Sequence, residues 1–185
     1  MNARTLGTCL ALLTLTACVG AKVQPLDSAE PSDDFIQLDD APPQRLAARV
    51  HGDGGAFLRE LEMLEADTWA ANLASGVLSI AVNQGNTQVQ ITLWQSFEVD
   101  DVWPIEPADG GGLPQNATLT FIDEGMGGQA TAGELEITAW RRTDSPQIML
   151  MDAVFEAAPI LNPDQPDWTR ELREGALEAV RVTAL

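Results

Sequence analysis

The stretch VLSIAVNQGNTQVQITLW, Val77 to Trp94, decides the fold class of this chain. It holds two apolar–polar alternations of strand length, joined by a short glycine-containing segment at 83–86. The apolar positions that share a face are Leu78, Ile80 and Val82 in the first run and Val89, Ile91 and Leu93 in the second. Alternation with a period of two residues around a short turn is typical of a half-buried β-hairpin.

Similar runs continue toward the C-terminus. Strands are predicted at 117–122, 134–140, 147–155 and 174–183, with turn-forming segments at 125–128 and 141–146. Strand-length runs at this spacing predict an all-β or β-dominated fold, an antiparallel β-sandwich or barrel-like domain with one or two short helices.

Two segments leave helix and strand open as alternatives. Residues 56–73 contain no glycine or proline and space Phe57, Leu61 and Leu64 much as a helix does. Residues 167–179 follow a proline and could also begin as a helix. One turn of helix capping the end of a sandwich would suit either segment.

The N-terminus has the pattern of an export signal. A basic start at Arg4 precedes an apolar run, which ends in the quartet Leu15-Thr16-Ala17-Cys18. This quartet resembles the lipobox of bacterial lipoproteins, and the resemblance implies cleavage between Ala17 and Cys18 with lipid on Cys18. Since Val19 and not aspartate follows, it also implies the periplasmic face of an outer membrane, with the cell surface as an alternative. The only cofactor expected is this covalent lipid.

The resulting organisation is a signal peptide at 1–17, a lipidated linker at 18–45 and a β-rich globular domain at 46–185. The linker is acidic and proline-containing, a composition that cannot bury enough surface to order itself. Its one apolar patch, 35–38, is expected to rest on the domain. Apart from Cys18 the mature chain has no cysteine, so no disulfide is expected.

The charge balance limits the partners. The chain has 10 Lys and Arg residues against 28 Asp and Glu residues, a formal net charge of −18, and Lys22 is its only lysine. Such a balance opposes binding to nucleic acid and to anionic membrane surfaces, so the membrane is expected to be reached through the lipid alone. Acidic, lysine-poor surfaces are also common in salty habitats, and composition alone does not separate the two origins.

The second half carries a looser resemblance. Residues 133–138 (GELEIT) and 152–157 (DAVFEA) resemble the last strands of a group of small, β-rich, uncharacterised bacterial lipoproteins. The resemblance implies a β-rich domain and transfers no catalytic residues.

Catalytic and metal-binding patterns are weak in this sequence. The single histidine, His51, lies beside Asp53 but lacks the spacing of a metal site, and no serine nucleophile motif is present. Glu134 and Glu136 share a strand face and are expected to be solvated. We therefore predict no catalytic residues and no metal.

One loop suggests ligand binding. Trp103 lies in a proline-bounded segment with Ile105 and Glu106, and an exposed indole there could stack on a sugar or contact a partner. The alternative is that Trp103 folds over a sheet edge. We expect a non-catalytic binding or envelope-structural module, with an envelope protein or glycan as the partner. A glycan or small-ligand binder using the Trp103 loop is the second hypothesis, and a hydrolase with an unrecognised carboxylate pair is the third.

Overall fold

The computed structural model describes residues 35–64, 66–94, 99–107 and 116–185, and within them the chain is dominated by β-strands. The strands are β1 (Arg45–His51), β2 (Phe57–Met63), β3 (Thr68–Ala74), β4 (Val77–Gln84), β5 (Thr87–Trp94), β6 (Val102–Pro104), β7 (Ala117–Asp123), β8 (Met126–Ala130), β9 (Gly133–Arg142), β10 (Ile148–Leu161) and β11 (Thr169–Ala184). The predicted β-dominated fold class is confirmed. Within these ranges no helix has the length and apolar character needed to cross a membrane.

The strands close into a barrel-like ring. Hydrogen-bonded neighbours run from β11 through β3, β4, β5, β7, β8 and β10 and return to β11. The contact of β11 with β3 is parallel, whereas the other pairings of the ring are antiparallel. Two extensions complete the sheet, since β1 and β2 add beside β11 while β9 and β6 add beside β10.

The β4–β5 hairpin forms as the alternation predicts. Val77 pairs with Trp94 and Gln84 pairs with Thr87 around a turn at Gly85, whose φ is +57°. The predicted inward residues of both runs are at most 1% exposed and belong to one core shared with the other strands. Burying apolar side chains at about 25 cal/mol per Å² is the main favourable term for such a core.

The two helical alternatives are wrong. In the first segment Phe57–Met63 form β2 and β3 begins at Thr68, and in the second segment β11 begins at Thr169. In β2 a bulge at Leu58 interrupts the pairing with β1, so that consecutive apolar residues are exposed and the alternation is blurred. In β11 the residues Glu174 and Ala179 have φ near +50° at two register shifts, which breaks the period of two in the same way.

The apolar patch near the start of the described chain rests on the domain. Ile36 forms an isolated bridge with Thr143, and the Leu38 amide donates to Asp144 Oδ1 at 3.0 Å. Arg181 donates from its Nη2 to the Leu38 carbonyl at 3.3 Å. The C-terminal part of the predicted linker, residues 35–44, therefore lies along the domain before β1 begins.

Candidate functional site

The indole of Trp103 lies in the core. Residues 102–104 add to β9 as strand β6, with Trp103 paired opposite Leu135. Because neighbouring side chains alternate across a strand, Val102 and Pro104 face outward and Trp103 faces inward, where it is 5% exposed. The exposed indole that the binding hypothesis requires is thus corrected to a buried one, in agreement with the sheet-edge alternative.

The other two residues of the predicted loop also have structural partners. Ile105 is 1% exposed and bridges Ala117, which ties the end of β6 to β7. Glu106 is exposed and accepts a hydrogen bond from the Asn116 side-chain amide. Ala17 and Cys18, the predicted cleavage and lipidation residues, lie outside the described residues.

A groove of about 840 Å³ crosses the outer face of β6, β9, β10 and β11. Its volume is within the range of small-ligand sites, about 300–1,000 Å³. The lining surface is mostly apolar, because small residues form much of it, namely Ala132, Gly133, Ala158, Gly175 and Ala176. The two glycines are required by packing: a Cβ on Gly133 would collide with the Glu156 carbonyl, and one on Gly175 would lie 2.5 Å from the Phe155 ring.

Longer side chains rise from the same strands and border this floor. Two valines there are unusually exposed for aliphatic residues, Val102 at 54% and Val154 at 43%. Four glutamates complete the border, namely Glu134, Glu136, Glu156 and Glu174. We call this feature the acidic-rimmed groove. It combines an apolar floor with concentrated negative charge, an arrangement suited to a ligand that is both aliphatic and cationic.

The register brings these side chains side by side. Glu136 pairs with Val102 on one side and with Val154 on the other, and Val154 pairs in turn with Ala176. One row of residues thus runs across four strands. In the next row, Glu134 lies directly opposite Glu156. Like charges directly opposite each other on antiparallel strands destabilise the pair.

Three of the rim glutamates have no ionic partner. Within the described ranges, neither an ion pair nor a hydrogen bond reaches the carboxylates of Glu134, Glu136 and Glu156. The fourth, Glu174, accepts from Arg49 Nη1 at 2.7 Å. The groove therefore keeps an excess of negative charge that its own arginines do not neutralise.

Some carboxylates elsewhere in the domain are neutralised by arginine. Arg45 contacts Glu62 at 2.9 Å and Glu178 at 3.0 Å. The hydrogen bond to Glu62 and the charge of Glu178 raise the pKa of the Arg45 guanidinium above its ordinary value. The same fold thus pairs some glutamates and leaves the rim of the groove unpaired.

A second polar group lies at one end of the core. Asp123, 5% exposed, receives Arg59 Nη2 on Oδ1 at 2.6 Å and Arg170 Nε on Oδ2 at 3.4 Å. The Arg170 guanidinium also lies over the Trp168 ring, 4.9 Å from its centroid. We call Asp123, Arg59 and Arg170 the Asp123 cluster. It joins β2 and β11 to β7 and has the character of a structural ion-pair network.

Neither group has the features of a metal centre. In the part of the chain that the structure describes, no three histidine, cysteine, aspartate or glutamate side chains are placed to share a metal ion. The ring of His51 makes a local contact, with Nδ1 at 3.0 Å from the Gly55 carbonyl oxygen, and packs edge-on against Phe57. Gly54 and Gly55 have positive φ, as expected for the turn between β1 and β2.

The sequence predicts only part of the groove. It placed Glu134 and Glu136 on one strand face, but gave no register that would set Glu134 opposite Glu156. The two segments that resemble β-rich lipoproteins, 133–138 and 152–157, pair as neighbours in β9 and β10 and supply six lining residues. The outward alternation of Val154 and Glu156 was the signal available in the sequence.

Comparison with protein-family models, with curated proteins and with solved structures finds no match to this chain.

Proposed function

We propose that this chain is a lipid-anchored, non-catalytic binding module of the bacterial envelope, and that the acidic-rimmed groove is its binding surface. The observation that carries the proposal is the groove itself, where exposed valines and unpartnered glutamates border a floor of small residues. Exposed apolar side chains gathered in a concavity mark interaction sites more often than scattered ones do.

The anchor follows from the N-terminal pattern. Lipid on Cys18 would hold the chain at a membrane without a spanning segment, since two or more acyl chains suffice for stable attachment. The acidic linker would then keep the domain clear of the headgroups. We place the module at the periplasmic face of the outer membrane, where an envelope protein is the favoured partner.

The anchor is tested by labelling the protein in its native cells with a radioactive fatty acid. Wild-type chain is expected to incorporate label, whereas Cys18→Ser is expected to lose it and to accumulate as unprocessed precursor. Ala21→Ser is the matched control, because it changes a nearby small residue without altering the quartet. Labelling of Cys18→Ser at the wild-type level would contradict lipidation at this residue.

The binding surface is tested by photo-cross-linking in the same cells. A photoreactive benzoylphenylalanine replaces Val154 in the groove or, as a control, Gln90, an exposed outward residue of β5. We expect one discrete adduct, identified by mass spectrometry, from position 154 and none of that mass from position 90. Equal patterns from both positions would contradict a binding role for the groove.

A hydrolase is the second candidate, because Glu134 and Glu156 bring two carboxylates into one groove. We favour it less, since both groups are exposed on adjacent strands of a single face, whereas a glycosidase holds its two carboxyls on opposite sides of the bond it cleaves. Turnover of any envelope glycan by wild-type protein, abolished in Glu134→Gln, would favour this candidate over the binding module.

A further inference from the structure

We propose that the occupant of the acidic-rimmed groove is a basic, extended peptide segment of a partner protein, in which cationic and aliphatic side chains alternate. This inference rests on the proposed binding function and names the chemistry of the partner.

Charge complementarity sets the sign of the partner. Three unpartnered glutamates and one paired with Arg49 leave the rim strongly negative. A second copy of this chain is a poor occupant, because it carries the same net charge of −18. Anionic lipid and nucleic acid are opposed for the same reason. A lysine- or arginine-bearing segment supplies the missing positive charge.

The apolar surface requires more than a simple cation. Val102 and Val154 flank Glu136 in one cross-strand row, so aliphatic and acidic side chains alternate across the groove. Lysine and arginine have aliphatic stems that can lie on such valines while their charged ends reach the neighbouring carboxylates. Valine or leucine side chains between them would cover the small-residue floor.

The dimensions favour a peptide. The row from Val102 through Glu136 and Val154 to Ala176 spans three inter-strand gaps. At a spacing of about 4.8 Å this is about 14 Å, the length of roughly four extended residues at about 3.3 Å each. Because successive side chains of an extended segment point to opposite faces, the aliphatic face of the bound segment lies on the floor, while its long basic side chains bend over the bordering valines to the rim carboxylates.

The test measures binding of a fluorescein-labelled octapeptide of alternating lysine and valine to the full-length lipidated protein in zwitterionic detergent. We expect saturable binding that weakens steeply with salt. Two further peptides test the charge and the apolar side chains separately. One alternates glutamate with valine, and the other alternates lysine with serine. The first is expected not to bind, and the second to bind at least fivefold more weakly.

Variants connect this binding to the groove. Glu134→Gln with Glu156→Gln is expected to weaken binding of the octapeptide about tenfold, since each exposed ion pair changes the affinity by roughly threefold. The matched control, Glu60→Gln with Glu124→Gln, removes the same charge from exposed positions outside the groove and is expected to change binding less than twofold. Equal loss in both double variants would overturn the proposal as non-specific attraction.

The remaining outcomes separate this inference from the proposed function. Spermidine that competes with the octapeptide at equal concentration would overturn the peptide assignment in favour of a small cation. Failure of the octapeptide to bind, together with a discrete cross-link from position 154, would overturn the peptide chemistry and leave the binding surface standing. Failure of both experiments would overturn the two proposals together.

Discussion

The Asp123 cluster and the acidic-rimmed groove differ in whether their carboxylates are paired with arginine. In the cluster, one buried carboxylate is in contact with two guanidinium groups. In the groove, three carboxylates of neighbouring strands have no cationic partner among the described residues, although they lie close enough to repel one another. The chain has 28 acidic and only 10 basic residues, yet two of its arginines contact a single aspartate, while the three groove glutamates have no arginine partner in the described ranges.

The difference indicates which region serves the fold and which serves a partner. A buried charge left unpaired costs several kcal/mol, so the cluster must be complete for the domain to be stable. Exposed like charges cost little each, and a binding surface can retain them where a ligand supplies the counter-charge.

The largest effect is expected from removing both arginines of the cluster. Arg59→Met with Arg170→Met leaves Asp123 buried without a counter-charge, and should lower the free energy of unfolding by about 3–5 kcal/mol. Urea unfolding followed by tryptophan fluorescence measures this directly. A loss below about 1 kcal/mol would mean that the cluster does not support the fold.

A third substitution sharpens this experiment. Adding Asp123→Leu to the double variant removes the unpaired charge and replaces it with an apolar side chain of similar volume. Most of the lost stability should return, since buried ion pairs can often be exchanged for apolar residues at little cost. If the triple variant were as unstable as the double, packing and not charge would explain the loss.

Gly133 tests how far the groove depends on its backbone. In Gly133→Ala the new methyl group would collide with the Glu156 carbonyl, and the residue has a φ of +147° that L-residues avoid. Overpacking and backbone strain together should cost about 3 kcal/mol in urea unfolding. Gly125→Ala is the matched control, because Gly125 also has a positive φ, +82°, but a Cβ there meets open space. Its cost should be near 1 kcal/mol, or roughly the backbone strain alone. Equal losses would remove the steric argument for the groove floor.

The sequence predicted the fold class because the central hairpin has uninterrupted alternation. It failed where the structure inserts extra residues, at Leu58 in β2 and near Glu174 and Ala179 in β11. A bulge moves the following side chains to the other face, so a strand with bulges can mimic the spacing of a helix. Trp103 was misassigned to an exposed loop in the binding hypothesis because three residues are too few to display alternation before the pairing partner is known.

The groove was harder to predict because it depends on register. Its residues come from separate strands, and a one-residue slip of β10 would carry Val154 and Glu156 to the inner face. The sequence shows the alternation of residues 134–138. It does not show that Glu134 aligns with Glu156, because that alignment depends on a bulge at Thr138 in the pairing of β9 with β10. The Asp123 cluster likewise joins residues 47 and 64 positions apart, which local patterns do not relate.

Asp152 provides an intermediate case between the cluster and the groove. Its Oδ1 accepts from the Ala179 amide at 2.7 Å and from Arg141 Nη2 at 2.6 Å, which supports the β11 bulge. Asp152→Ala should lower the free energy of unfolding by about 2 kcal/mol, as expected for a charge-assisted hydrogen bond to a part-buried amide. The control, Asp144→Ala, removes a similar bond to the exposed Leu38 amide and should cost about 0.5 kcal/mol. Faster hydrogen exchange at Ala179 in the first variant alone would assign the loss to the bulge.

The smallest effect has the opposite sign. Glu134→Gln with Glu156→Gln removes two carboxylates that face each other without a cation, and relieving that repulsion should raise the free energy of unfolding by about 0.5 kcal/mol. Glu62→Gln, which breaks the exposed pair with Arg45, should instead lower it slightly. Salt screens exposed charges, so both differences should shrink as ionic strength rises in urea unfolding. A groove variant that is less stable than wild type would mean that these glutamates serve the fold, and the division between the two regions would fail.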